Sequence, residues 1–333
     1  MRRVIRSILY LLPLVVGSGV VQGDSYVFTV RGKVPVSELG TTLQHEHVLV
    51  DFIGAAETGS HRWDRAEVVE KVSPYLEEIQ ALGCTTLMEC TPAYIGRDPL
   101  LLKQLSEATG MHLLTNTGLY GARDNFFIPE SAKGKTAEEL AAGWIAEFEN
   151  GIEGTGIRPG FIKIGVNPDA ELSLFHQTLV RAAGLTHKAT GLTIMSHTGP
   201  PEPAFAQLEI LASMGVPADA FIWTHAQRGS METWVACAEK GAWVSIDNVR
   251  DRNFEKHADS LAALKEKGLL GRILISHDAG WYRPGEPGGG KFNGYTPVFE
   301  SLVPALRERG FDQDDIDQLL IRNPAEAFAL DTN

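Results

Sequence analysis

Four histidines, one lysine and one aspartate stand at or near the ends of short apolar runs, and together they have the chemistry of a metal site. The runs are Leu43-Gln44-His45-Glu46-His47, Phe161-Ile162-Lys163-Ile164-Gly165, Ile194-Met195-Ser196-His197, Ile222-Trp223-Thr224-His225 and Ile273-Leu274-Ile275-Ser276-His277-Asp278. Each reads as a buried strand ending in a ligand or charge that an apolar core penalises unless something compensates it. His45 and His47 are two apart, so on a strand both side chains leave the same face and one divalent ion can take both imidazoles. A lone His-x-His is a weak signal, and a single strand-end histidine is more often a core or loop residue. His197 and His225 on neighbouring strands, with Asp278 on a third, reverse that balance.

Lys163 is the least expected member, set between two isoleucines in a strand that should be buried. A purely structural lysine there would need a carboxylate partner. Burial disfavours the charged ammonium, and a neutral amine can add carbon dioxide to become a carbamate, chemically a carboxylate able to bridge two metals.

Such residues meet only if the strands that carry them converge. Apolar runs near 41–50, 84–90, 112–119, 160–166, 192–198, 221–226, 243–248 and 273–278 alternate with helical patterns at 65–81, 98–109, 136–150, 170–190, 202–214, 230–240, 254–268 and 296–309. Two short helices are expected at 312–321 and 324–329. Eight strand–helix units predict an α/β fold, a closed (β/α)8 TIM barrel, with the site at the C-terminal ends of its strands. The alternative, an open doubly wound sheet, usually carries a glycine-rich phosphate turn after its first strand; here that place holds His45-Glu46-His47. The Gly/Pro-rich stretch 284–290 reads as a mobile substrate loop rather than a domain boundary.

The chain of 333 residues has an ordinary composition and a formal net charge of −12. Residues 1–23 hold three arginines and no acid, so the remainder is more acidic still. That argues against nucleic acid and anionic membranes as partners and leaves a small molecule. Arg2, Arg3 and Arg6 before an apolar run, then Val21-Gln22-Gly23, predict a signal peptide at 1–23, cleaved on export to the periplasm or outside; the alternative is an uncleaved anchor. The mature chain, 24–333, is then expected to be one domain without a membrane segment, and a homodimer stays open. Cys84, Cys90 and Cys237 have no metal spacing and read as free core thiols.

The chain resembles the phosphotriesterase family of the amidohydrolase superfamily, including its lactonases, from about Gly40 to Ala329. The matching stretches include Thr42–His47, Gly96-Arg97-Asp98, Thr117-Gly118-Leu119-Tyr120, Gly151–Lys163, Ser276-His277-Asp278 and Asn323-Pro324-Ala325. The resemblance implies two divalent metals, zinc first with cobalt, manganese or iron as alternatives. His45, His47 and Asp278 would hold one metal and His197 and His225 the other, with carboxylated Lys163 and a hydroxide between them. It further implies hydrolysis of a lactone or, alternatively, a phosphotriester, with Asp278 taking the proton and Tyr120 orienting the substrate. Trp281 belongs to an aromatic substrate loop. Arg228 and Asn248 stand where relatives carry an acid and a His or Arg; both are candidate substrate contacts, and the departure puts a histidine–aspartate proton relay in doubt. A non-catalytic binding protein would be free to lose ligands, and all six positions are present.

Overall fold

A computed structural model describes residues 25–331; the expected signal peptide, 1–23, lies outside them. The strands are β1 (Tyr26–Thr29), β2 (Gly32–Pro35), β3 (Thr41–Leu49), β4 (Cys84–Glu89), β5 (His112–Leu114), β6 (Asn116–Thr117), β7 (Phe161–Gly165), β8 (Ile194–His197), β9 (Phe221–Thr224), β10 (Trp243–Ile246), β11 (Ile273–Ile275) and β12 (Gly280–Tyr282). Helices α1 (Arg65–Ala81), α2 (Pro99–Thr109), α3 (Ala137–Asn150), α4 (Leu174–Thr190), α5 (Pro201–Ser213), α6 (Met231–Glu239), α7 (Phe254–Glu266) and α8 (Val303–Glu308) alternate with them. Five of them start at a side-chain cap: Asp64, Asp98, Thr136, Ser173 and Ser230 accept backbone N–H groups of the first turn of α1, α2, α3, α4 and α6.

The architecture is the expected (β/α)8 barrel, with two refinements. All strands from β3 onward pair in parallel, but in two ladders, β11-β10-β9-β8-β7-β6 and β12-β3-β4-β5. The third barrel strand changes partner at Thr115: β5 pairs with β4, while β6 pairs with β7. The eighth changes partner across Ser276–Ala279: β11 pairs with β10, and β12 pairs with β3. Backbone bonds Asp278 N to His45 O and His47 N to Ala279 O, each 2.9 Å, carry the chain across that seam. The hairpin β1–β2, not expected from the sequence, turns at Val30-Arg31 and lays Val27 against the bottom of the barrel.

Along each strand outward residues such as Ile162, Ile164, Val244 and Ile273 pack on the helices. Inward residues Met88, Leu114, Phe161, Met195, Ile222, Trp243 and Leu274 fill the lower barrel, plugged by Phe328. Above that layer the inward positions become polar, which is where the site begins. The three cysteines are buried and free. No helix among the described residues is long and apolar enough to cross a membrane.

The closing seam depends on Gly280, at φ 97°, where an added Cβ would lie 1.7 Å from the His47 carbonyl oxygen. Gly280→Ala should therefore destabilise the fold by more than about 1 kcal/mol. Gly215→Ala, at φ 74° with nothing within 4 Å of the added carbon, should cost less. Urea midpoints of the two variants check this, and equal values would mean that the seam tolerates the clash.

Candidate metal centre

A register shift in β3 between Leu43 and Glu46 sets the first two ligands. It is a bulge, and it lets consecutive residues face inward: Gln44 donates to Ser245 and His45 reaches Asp247, both on the interior side of the seventh barrel strand. His47 then follows on the same side. Lys163 is 1% exposed on β7, His197 ends β8, and His225 and Asp278 follow β9 and β11. His225 and Asp278 sit in left-handed backbone, at φ 60° and 55°. For non-glycine residues that costs about 1 kcal/mol or more each, strain of the kind held at functional sites.

The six groups converge. The Asp278 carboxylate lies 3.1 Å from His47 Nε2 and 3.8 Å from His45 Nε2. Lys163 Nζ is 3.3 Å from His45 Nε2, and His225 Nε2 is 2.8 Å from His197 Nδ1. All six line one cavity of about 190 Å³. Burial, with the Lys163 charge, pushes the His45 imidazole down to about 4. Burial and its His225 neighbour push His197 well down too. Both are therefore neutral ligands at neutral pH. Burial opposes ionisation of Asp278, but His47 and the other imidazoles hold its carboxyl well below the usual range.

Three of the four rings, His45, His47 and His225, are fixed by what their Nδ1 meets. Fully buried Asp247 accepts from His45 Nδ1 at 2.8 Å and from His225 Nδ1 at 2.6 Å. It also accepts from the His225 backbone N–H, Ser245 and Gln227. Asp247, His45 and His225 lie close enough to hold an ion themselves. But Asp247 faces the Nδ1 edges, whereas the Nε2 edges face the other ligands, so it is the orienting carboxylate, and it sets both tautomers. His47 Nδ1 similarly meets the Thr91 hydroxyl at 2.8 Å.

The turn carrying Asp278 is gathered by Glu46, which accepts from Ser276 Oγ, His277 N, His277 Nδ1 and Ala279 N at 2.6–2.9 Å. Val298 N donates to His277 Nε2, which places the ring proton on Nδ1. Arg250 donates to the carbonyls of His277 and Asp278. Sequence reasoning gave Asp247, Glu46, Thr91 and Arg250 no role; the one signal was Asp247 itself, an acid ending the apolar strand Trp243–Ile246.

The cavity wall is apolar: Val50, Phe52, Pro92, Ile95, Tyr120 and Trp281, with Arg123 at its rim. The Tyr120 ring lies 4.9 Å from His197, and burial pushes its phenol up, so it stays a neutral donor. The Trp281 ring is 6.4 Å from His47, and its indole N–H has no partner among the described residues. Two expected substrate contacts, Arg228 and Asn248, lie outside this cavity lining. Arg228 is exposed at the end of a short turn leading away from left-handed His225, and its stem lies against Gly199. Asn248 follows inward-facing Asp247, lies outside the cavity lining, and receives Asn253 and His257 on its carbonyl.

Nitrogen and carboxylate donors in two adjoining groups fit two divalent cations. Lys163, whose Nζ meets an imidazole and no carboxylate among the described residues, fits an anionic modification. Barrel and site together define the class of binuclear metal-dependent hydrolases built on a (β/α)8 scaffold. The comparisons agree. The model of the phosphotriesterase family matches residues 25–328. The phosphotriesterase homology protein of Escherichia coli (strain K12) is 29% identical, over 87% of this chain and 98% of that one. An aryldialkylphosphatase of Saccharolobus solfataricus is 25% identical, over 90% and 98%. A solved structure described as organophosphate hydrolysis activity engineered from a weak promiscuous lactonase template superposes with a TM-score of 0.81 at 26% identity, over 91% of this chain and 99% of that one. The chain belongs to the phosphotriesterase family.

Proposed function

We propose that the protein hydrolyses cyclic esters at a pair of divalent metals, zinc first among them. His45, His47 and Asp278 would hold one, His197 and His225 the other, and carboxylated Lys163 would join them. Bound there, the cations supply Lewis acidity toward the carbonyl and a water acidified enough to attack at neutral pH. Asp278, ionised and already hydrogen-bonded within the cluster, takes the proton of the attacking water and returns it to the ring oxygen that departs. The apolar wall excludes bulk water, and Tyr120 orients the ester. No serine or cysteine nucleophile is needed, and Cys90, whose thiol burial pushes up, stays protonated. On this reading the leader at 1–23 directs the protein out of the cytoplasm.

The observation that carries the choice of substrate is Tyr120, an uncharged donor set in an apolar wall beside a metal ligand. The name of the lactonase template supports the same choice. The second reading, a phosphotriesterase, is favoured by the similarity to an aryldialkylphosphatase. A hydrogen bond to a neutral group is worth about 0.5–1.5 kcal/mol, roughly 2- to 13-fold in rate when made only in the transition state. Tyr120→Phe should therefore lower kcat/KM on lactones by that factor and on phosphotriesters by less. Both substrate classes are assayed with metal-reconstituted wild type and mutant. Equal losses would reduce Tyr120 to packing, and a wild type that strongly prefers phosphotriesters would overturn the lactonase reading.

A further inference from the structure

The residues just after Tyr120 do something their sequence does not require. Arg123, Asp124 and Asn125 adopt left-handed backbone in succession, at φ 58°, 57° and 62°, and none is glycine. L-residues visit that region singly and at a cost, so a run of three must be held from outside. It is. The loop starts at Gly121, whose N–H donates to the Gly165 carbonyl at 2.9 Å and whose carbonyl accepts from His176 Nε2 at 3.0 Å. Its middle is tied by two bonds to Asn167: Asp124 N donates to the Asn167 side chain at 3.1 Å, and Asn167 Nδ2 donates to the Asp124 carboxylate at 2.7 Å. Gly165 and Asn167 lie at the end of the strand that carries Lys163, so the loop is fixed relative to the metal ligands.

What this holds in place is the Arg123 side chain. It lines the metal cavity and is the arginine of that lining. Its guanidinium is flanked by ring faces, 5.4 Å from Phe127 and 5.9 Å from Phe52. Each ring leads to one half of the site. Phe127 packs on Tyr120 at 5.8 Å, and Tyr120 on His197 at 4.9 Å. Phe52 packs on Trp281 at 6.2 Å, and Trp281 on His47 at 6.4 Å. Arg123 thus sits over the adjoining Phe52 and Phe127 rings, whose centroids are 6.0 Å apart, and its N–H donors have no hydrogen-bond partner among the described residues, which leaves them for a ligand. A guanidinium stacked on rings keeps its edge donors, and those match an oxyanion in a forked geometry. The chain as a whole is acidic, at −12, so an anionic substrate gains from a cation placed at the entrance.

We propose that Arg123 is the specificity-determining residue of this cavity, and that the ester it serves carries an oxyanion, carboxylate, sulfonate or phosphate, on the part of the substrate remote from the reacting carbonyl. This rests on the hydrolase reading for the reacting end but concerns the other end of the substrate. Two probes separate the two ideas. The kinetic pair is a γ-butyrolactone bearing a carboxylate and the same lactone bearing a primary carboxamide. The binding pair is phenylacetate and phenylacetamide, followed by calorimetry on the metal-loaded protein. In wild type the carboxylate lactone should be preferred, with the preference falling as salt is raised. Arg123→Gln should reduce the ratio of kcat/KM values, anionic over neutral, by roughly tenfold, mostly through KM, and Arg123→Lys should recover part of it. Phenylacetate affinity should fall by a similar factor in Arg123→Gln, with phenylacetamide changing less. An unchanged ratio in both experiments, or equal losses for charged and neutral probes, would overturn the proposal and leave Arg123 as a stacking residue. If wild type hydrolyses no lactone, the cyclic-ester reading falls and the calorimetric pair alone decides on Arg123.

Discussion

Lys163→Ala is expected to lose at least about 100-fold in turnover and to regain part of it when acetate or formate is added. Outer partners of metal ligands already cost 10- to 100-fold when removed, and Lys163 stands among the ligands themselves. The expectation follows from charge. The cavity gathers four imidazoles and one lysine around a single inner carboxylate, Asp278. Two divalent cations added to that set bring four positive charges, and an ammonium group would bring a fifth into a site where Lys163 is 1% exposed. Burying that much charge of one sign is prohibitive. A carbamate on Lys163 would replace that opposing charge with a carboxylate-like donor for the cations. A short carboxylic acid diffusing into the space left by the deleted side chain can offer the same two oxygens, which explains the partial recovery. The measurements are kcat/KM with and without acetate, metal content per chain, and the intact mass of the wild type, which should exceed the sequence mass by one carbon dioxide. Wild-type activity in the unrescued mutant would defeat the carbamate.

What the sequence shows of this molecule is what local periodicity encodes. Strand–helix alternation places eight barrel units, and polar residues ending apolar runs bring six inward groups into view. The missing features depend on pairing between distant segments. Period-two reading cannot see that Gln44 and His45 share a bulge, because the bulge exists only relative to β4. Nor can it see that the third and eighth barrel strands exchange partners at Thr115 and at Ser276–Ala279. Asp247 satisfies its charge with His45, 202 positions away, and with His225, 22 positions away. Arg228 and Asn248 were expected at the substrate by resemblance alone. In the structure neither belongs to the lining of the cavity that gathers the six groups. Arg123 went unread because three left-handed residues without a glycine leave no compositional trace.

The dependence of both halves of the site on Asp247 leads to a second large effect. Asp247→Asn keeps the volume of the side chain and removes its charge. As an aspartate it accepts from His45 Nδ1 and His225 Nδ1 at once, which leaves both Nε2 atoms free as donors to a metal. An asparagine has one carbonyl oxygen and one amide NH2, so it can accept from one ring and must donate to the other. The ring that receives the amide is driven to the opposite tautomer, with its hydrogen on Nε2, where the metal should bind. On the proposed assignment His45 would hold one metal and His225 the other, so a single substitution should weaken both, by about 10- to 100-fold in affinity, with activity falling alongside. Thr91→Val is the contrasting variant. Thr91 supports His47 alone, so its loss should weaken one metal and spare the other. Competition with a chelator followed by metal quantification reads both effects, and circular dichroism confirms that each variant is folded. Two metals retained at wild-type affinity in Asp247→Asn would show that ring orientation is set by packing, and Asp247 would then lose its role in the site.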